Sequence, residues 1–133
     1  VSSAHCTEFG KIRLNQKRAQ LFHIFQPENR CILAGYVTHV LVSLGGKGLL
    51  YVGEGGGARL IPTPVEVRST IGAGDTTLAS FLYALGLGQT PQQAAHFAAA
   101  AGTASVTLDG TDVVTREMVE QMMPSIISKP VKV

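Results

Sequence analysis

The sequence predicts an α/β chain in which strands come first and packed helices follow. Two observations carry this. Between Thr38 and Pro62, three short runs rich in branched apolar residues are separated by glycine turns. From Asp75 onward the apolar residues recur instead at helical spacing. A single switch of period along the chain, from extended to helical, is the pattern of a sheet covered by helices.

The elements follow in order. Residues 1–37 form a poorly readable N-terminal segment. Within it, "KIRLNQKRAQLF" fits a short amphipathic helix that partly buries Ile12, Leu14 and Leu21, and "QPENR" is a break. "THVLVSL" is apolar on both faces and predicts a fully buried strand ending at Gly45-Gly46. "GLLYV" predicts a second strand, the stretch Gly53 to Ala58 a hairpin turn, and "RLIP" a short returning strand. Pro62 and Pro64 cannot donate to a central ladder, so "PTPVEV" belongs at an edge or in a crossing segment.

Leu78, Phe81, Leu82 and Leu85 fall at i, i+3, i+4 and i+7, one apolar stripe of a helix that Gly86 and Gly88 stop. Thr90, Pro91 and Gln93 open the next helix as cap, first helical residue and capping-box partner. That helix is crowded with Ala94, Ala95 and Ala98 to Ala101, which favour helix and allow close approach of a neighbour. "LDGTD" ends it. Thr115 caps a last short helix, "REMVEQMM", and residues 124–133 are expected to be a tail.

Composition narrows the function. The chain has 133 residues, 45% hydrophobic and 15% charged, which suits one domain or part of one. A net charge of +2 argues for neither nucleic acid nor membrane as a partner. Lys11, Arg13, Lys17 and Arg18 are expected on a solvated face. Cys6 and Cys31 match no metal spacing, and reduced thiols in a cytoplasmic protein are expected. The longest apolar stretch, around Ala94 to Val106, is too short to span a bilayer.

The chemistry points to "RSTIGAGDTTLASF", Arg68 to Phe81. The first amides of a helix have no partner within it and carry partial positive charge. Gly72, Ala73 and Gly74 leave that backbone open to an anion, and the same field favours a carboxylate at Asp75. An acid beside such an anion hole can take a proton from a hydroxyl while the amides hold a transferring phosphoryl group. Taken alone, the motif fits a plain turn with an acidic cap better than an anion hole. It is not a Walker A loop, since no Lys-Ser or Lys-Thr follows, and the third glycine of a dinucleotide fingerprint is missing. A second glycine cluster, "SLGGKG" from Ser43 to Gly48, stands at the end of the strongest strand. Such turns either admit a nucleotide or are simple turns, and Lys47 there fits a solvated side chain.

Together these segments resemble the ribokinase-like (PfkB) family of sugar kinases. "STIGAGDTTLASFLYAL" is similar to that family's second signature, "VSLGGKGLLYV" to the strand-turn-strand that borders its nucleotide, and "AAHFAAAAGTASVT" to its alanine-rich helix beside the adenine. The resemblance runs from about Thr38 to Glu120. It implies the C-terminal part of a ribokinase-like α/β/α sandwich, with residues 38–123 as the nucleotide-binding part. It implies Asp75 as catalytic base, Gly72, Ala73 and Gly74 as the anion hole for the ATP phosphates, and Ser43, Gly45 and Gly48 as nucleotide contacts. ATP and Mg²⁺ are the implied cofactors, and the metal ligands are not identifiable in the sequence. Ser69-Thr70 resembles the branch that includes 1-phosphofructokinase and tagatose-6-phosphate kinase, where Ser69 puts the monovalent-cation site of the ribokinase branch in doubt. The implied activity is transfer of the ATP γ-phosphoryl group to fructose 1-phosphate, fructose 6-phosphate or tagatose 6-phosphate.

Departures from the family pattern accompany the match. "IRLNQKRAQLF" has an Asn at position 15 but lacks the Pro and Glu of the family's corresponding segment. The family's N-terminal, sugar-reading half has no counterpart here, so the chain is expected to be inactive without it. The strand from Thr38 to Leu44 is then expected to lack a neighbour on one side, leading to self-association or to dependence on the missing half. The alternative from another class is a non-catalytic nucleotide- or anion-binding remnant that depends on a partner chain.

Overall fold

The computed structural model describes residues 5–8, 38–53 and 56–131. Among the described residues, five strands form one sheet: β1 (His5–Glu8), β2 (His39–Ser43), β3 (Leu49–Gly53), β4 (Gly56–Pro62) and β5 (Ile126–Val131). They lie in sequence order, and each neighbouring pair is antiparallel. Three helices, α1 (Ala73–Gly86), α2 (Pro91–Val106) and α3 (Arg116–Met122), fill the chain between β4 and β5. The α/β order expected from the sequence, strands and then packed helices, is the order observed.

Register sorts the side chains. Leu41 faces Tyr51, Tyr51 faces Ala58, and Leu49 faces Leu60, so these residues share one side of the sheet. On that side they pack with Phe81 and Ala84 of α1, the alanines and Phe97 of α2, and Val119 of α3. Val40 and Val42 of β2 point to the opposite side and are also buried. The strand is therefore covered on both faces, as its unbroken apolar run requires.

Each helix begins as its local sequence dictates. The Thr90 hydroxyl accepts from the Gln93 amide at 3.2 Å, and the Gln93 side chain accepts from the Thr90 amide at 3.1 Å, with Pro91 in the first turn. Thr115 accepts from the Met118 amide at 3.3 Å and caps α3. Helix α2 is buried along most of its length, Ala94, Ala95 and Ala98 to Ala101 included. A Cβ at Gly102 would strike the Thr77 hydroxyl of α1, so the two helices meet at a distance that only glycine permits.

Five expectations are corrected. The stretch Gly53 to Ala58 is not all turn: Gly56 already faces Gly53 in the ladder, and Ala58 is buried in the core. The stripe of α1 does not bury Leu82, which is 46% exposed, because the helix turns Phe81 and Ala84 to the sheet instead. Residues 126–131 are not a tail but β5, whose backbone pairs with β4 from Pro62 to Gly57 while Ile126 enters the core. The strand at Thr38 to Leu44 has neighbours on both sides, β1 and β3, so the sheet's outer strands are β1 and β5. The amphipathic helix expected near Lys11 to Phe22 lies outside the described residues. Of "PTPVEV", Pro62 does not lie at an edge or in a crossing segment but ends the inner strand β4 opposite Ile126, and only from Thr63 does the chain leave the sheet, with the Thr63 amide and hydroxyl both donating to the Ser125 carbonyl.

Three rings fasten α1 to the sheet. The His39 ring meets Phe81 edge-on at 5.7 Å, Tyr51 lies 5.8 Å from Phe81, and His39 Nδ1 is 3.1 Å from the Tyr51 hydroxyl. Burial pushes the Tyr51 phenol above its ordinary pKa of 10.0. The folded chain therefore keeps this proton at pH values where the unfolded chain has begun to lose it. Stability from this group is fully present below about pH 10 and is lost as pH rises through the folded pKa. Denaturant melts at pH 8 to 11 should show this alkaline loss reduced in Tyr51→Phe. Equal alkaline slopes in the two proteins would show that Tyr51 contributes no such linkage.

Candidate functional site

The site expected from the sequence begins with the loop before α1. Two hydrogen bonds tie that loop to the C-terminal end of α2: the Arg68 and Ser69 amides donate to the Val106 carbonyl at 2.7 and 3.3 Å. Arg68 also pairs with Asp109 at 2.8 Å, an exposed contact that adds little stability. The Ser69 hydroxyl accepts from the Ile71 amide at 3.2 Å, which bends the chain into the glycines.

Gly72 is the N-cap of α1, with φ at 76°. That left-handed conformation suits glycine and strains any side chain. The Gly72 carbonyl accepts from Thr76 at 2.9 Å, and the Ala73 amide is engaged by the Thr70 carbonyl at 3.3 Å. Among the described residues, nothing takes the amides of Gly74 and Asp75. Of the expected anion hole, Ala73 thus spends its N–H on closing the turn, while the next two amides keep theirs. A Cβ at Gly74 would meet nothing within 4 Å, so the space beside these amides is open.

Asp75 lies in the first turn of α1 and is exposed. Among the described residues it makes no ion pair or side-chain hydrogen bond, which leaves its carboxylate available to a ligand. An accessible acid and two adjacent open amides at one helix end are what proton removal beside a bound phosphoryl group requires.

The second glycine turn is built differently. Gly45 to Lys47 form a short 3₁₀ turn between β2 and β3, with Gly45 at φ 59°. The Leu44 amide donates to the Gly48 carbonyl at 2.8 Å and closes it. Gly48 is needed for packing: a Cβ there would collide with the Leu60 carbonyl and the Pro62 ring of β4. Ser43 is half-buried at the end of β2, and Gly45 is exposed. No hydrogen bond among the described residues joins this turn to the α1 loop. Any ligand touching both has to bridge them.

A cleft of about 480 Å³, which the sequence does not reveal, lies between the helices. Gly72, Thr76 and Tyr83 of the α1 region line it, with Phe97 of α2, residues 111–115 before α3 and Arg116 at its start. Asp75, Ser43, Gly45 and Gly48 do not line it. Only tertiary packing brings these segments together. Among the described residues, no group of three His, Cys, Asp or Glu side chains is arranged to hold a metal ion, and no helix is long and apolar enough to cross a membrane.

The fold and this helix entry define a ribokinase-like α/β chain. A family model described as pfkB family carbohydrate kinase matches residues 29–117, and the chain belongs to that family. It is 29% identical to 1-phosphofructokinase of Escherichia coli strain K12 over 94 residues, covering 71% of this chain and 30% of that protein. With 1-phosphofructokinase of Borreliella burgdorferi it shares 37% identity over 70 residues, 52% of this chain and 23% of the other. Among solved structures, Escherichia coli phosphofructokinase-2 in complex with substrates and products is similar with a TM-score of 0.68 at 28% identity, over 76% of this chain and 34% of that one. Ribokinase from Thermotoga maritima is similar with a TM-score of 0.66 at 28% identity, over 83% and 38%. The chain spans about a third of the length of the curated relatives it matches.

The two glycines of the α1 loop respond differently to substitution. Gly72→Ala should cost about 1–2 kcal/mol although its Cβ meets nothing, because the strain lies in the backbone. Gly74→Ala should stabilise the chain by about 0.5–1 kcal/mol, since glycine is the poorer helix former and the space is free. Urea melts check both. A destabilised Gly74→Ala would mean that glycine at this position serves the fold itself.

Proposed function

We propose that this chain supplies the nucleotide-binding and proton-abstracting part of a carbohydrate kinase that moves the ATP γ-phosphoryl group to a hydroxyl of a sugar phosphate. The observation that carries the reading is Gly74. A glycine in the first turn of a helix costs stability, and here no neighbour requires it. Its return is an unobstructed approach to the free amides beside Asp75.

In this reading the Asp75 carboxylate accepts the proton of the attacking hydroxyl. The amides of Gly74 and Asp75 hold the negative charge on the transferring phosphoryl group, and the α1 dipole adds to them. The open space beside these amides fits the phosphates of ATP, which supplies the group to be transferred. Ser43 and Gly45 border the nucleotide from the turn after β2, with Gly48 keeping that turn against β4. Mg²⁺ would accompany the nucleotide; the described residues offer it no ligand cluster, and no step is assigned to it. The acceptor is a phosphorylated ketohexose: fructose 1-phosphate or fructose 6-phosphate, in keeping with the phosphofructokinase names of the relatives, or tagatose 6-phosphate. The setting is the cytoplasm.

A second reading, a nucleotide-binding piece that works only beside a partner chain, is favoured by the outer surface of the α1 region. Ile71 is 68% exposed, Leu82 46% and Leu87 51%. Leu82 lies on α1, and Ile71 and Leu87 flank its two ends; exposed apolar side chains of this size suit contact with protein better than contact with water.

ADP release coupled to each sugar phosphate tests the first reading, with this chain alone and joined to a sugar-binding half from a relative. In the active form, Asp75→Asn should lower kcat by at least ~10² with little change in ATP affinity. A variant that keeps near-normal kcat would reject Asp75 as the base. For the partner reading, light scattering over a dilution series should show association of the isolated chain. A monomer at all concentrations with a cooperative melt would sink it.

A further inference from the structure

The hydroxyl groups of the two long helices fall into two sets. Those of Thr77 and Thr103 donate to the carbonyls of Ala73 and Ala99, each at 2.8 Å, and that of Thr107, just past α2, donates to Ala104 at 2.7 Å. Those of Thr76, Ser80 and Ser105 make no such bond and have no other partner among the described residues. All three of this second set line the cleft between the helices, and none of the first set does. A helical Ser or Thr that does not close on its own backbone keeps its hydroxyl for another group.

Ser105 is the most telling of the three. It is 9% exposed, on the buried side of α2. Its oxygen is still reachable: of the described residues, only Arg59 has a side-chain polar atom that is both sealed from solvent and unpartnered. The small surface that Ser105 keeps therefore includes its hydroxyl, and it opens on the cleft. A buried hydroxyl without a partner costs stability. Alanine, which fills most of this helix, would avoid that cost and is the better helix former.

The rest of the lining narrows the ligand. Tyr83 and Phe97 lie 6.0 Å apart, tilted by 35°, and Tyr83 is 44% exposed, so the cleft presents aromatic surface. The charged side chains of the lining are Asp112 and Arg116, opposite in sign, with Arg116 engaged by Glu120 at 2.9 Å. No net charge selects an ion. A volume of about 480 Å³ lies within the range of small-molecule clefts. We propose that this cleft binds a neutral monosaccharide. The C–H face of the sugar ring lies on Tyr83, since the face of an aromatic ring carries the negative side of its quadrupole. The sugar hydroxyls exchange hydrogen bonds with Thr76, Ser80 and Ser105, each of them donor and acceptor, and donate to Asp112, which only accepts. The site is independent of the function proposed above, because neither Gly74 nor Asp75 lines the cleft.

The test is titration of the full ¹⁵N-labelled chain with D-glucose and with D-fructose. The backbone amides of Ser80 and Ser105 should shift saturably with at least one of them. Ser105→Ala should weaken the apparent affinity about three- to tenfold, the scale of one hydrogen bond. Thr103→Ala removes a hydroxyl that bonds its own helix and should leave the affinity unchanged. Without sugar, Ser105→Ala should raise the urea midpoint, because the lost hydroxyl had no partner to leave behind. The Gly74 amide, followed in the same spectra, reports the α1 loop separately. Shifts at Gly74 alone would place the sugar at that loop and overturn the proposal. So would shifts that never saturate with either sugar, or an affinity that Ser105→Ala leaves unchanged. A lowered urea midpoint in Ser105→Ala would show that this hydroxyl serves the fold, and would overturn it as well.

Discussion

The rest of the structure depends on how closely α2 can lie against its neighbours. Seven alanines and Gly102 give that helix almost no girth on its buried sides. It packs at once on α1, α3 and the sheet, and the layer closes around it. Larger residues at Ala98 or Ala101 would push α1 off the sheet and open the contact among His39, Tyr51 and Phe81. The alanines also favour helix in their own right, so local preference and tertiary need agree.

The same helix positions the chemistry. Its last carbonyl outside the helical ladder, that of Val106, accepts the amides of Arg68 and Ser69 and holds the loop that leads into Gly72. The loop, in turn, sets where the first amides of α1 point. The candidate site is therefore fastened to the core by backbone bonds rather than by its functional side chains. Asp75 and the open amides are left free of structural duty, as a site that must accept a ligand requires.

The family match covers the helix entry at Gly72 to Asp75 without singling it out, and the physical reading reaches that entry separately. Membership in the pfkB family follows from a match over residues 29–117. The argument from Gly74 needs no relative: glycine stands where the helix would be better served by alanine and where no neighbour excludes a side chain. The two glycine turns differ in this respect. Gly48 is explained by contact with β4, whereas Gly74 is explained by nothing in the fold.

By itself the sequence determined the order of elements and most of their starts. The apolar run at β2, the Thr90 to Gln93 capping box, the Thr115 cap and the alanines of α2 act through neighbours in the chain, and local chemistry is legible locally. It also marked Gly72 to Asp75 as the place where a backbone opens onto a helix end. What it left undecided depends on partners distant in the chain. The ending at Ile126–Val131 becomes a strand only because β4 offers a free row of backbone groups, and its proline and lysine conceal the alternation. Leu82 fits the helical stripe but stays exposed, because the helix turns Phe81 and Ala84 into the core. The cleft between the helices and the placing of Arg59 opposite Lys129 arise from register and packing alone. Those are long-range facts, and only the tertiary structure decides them.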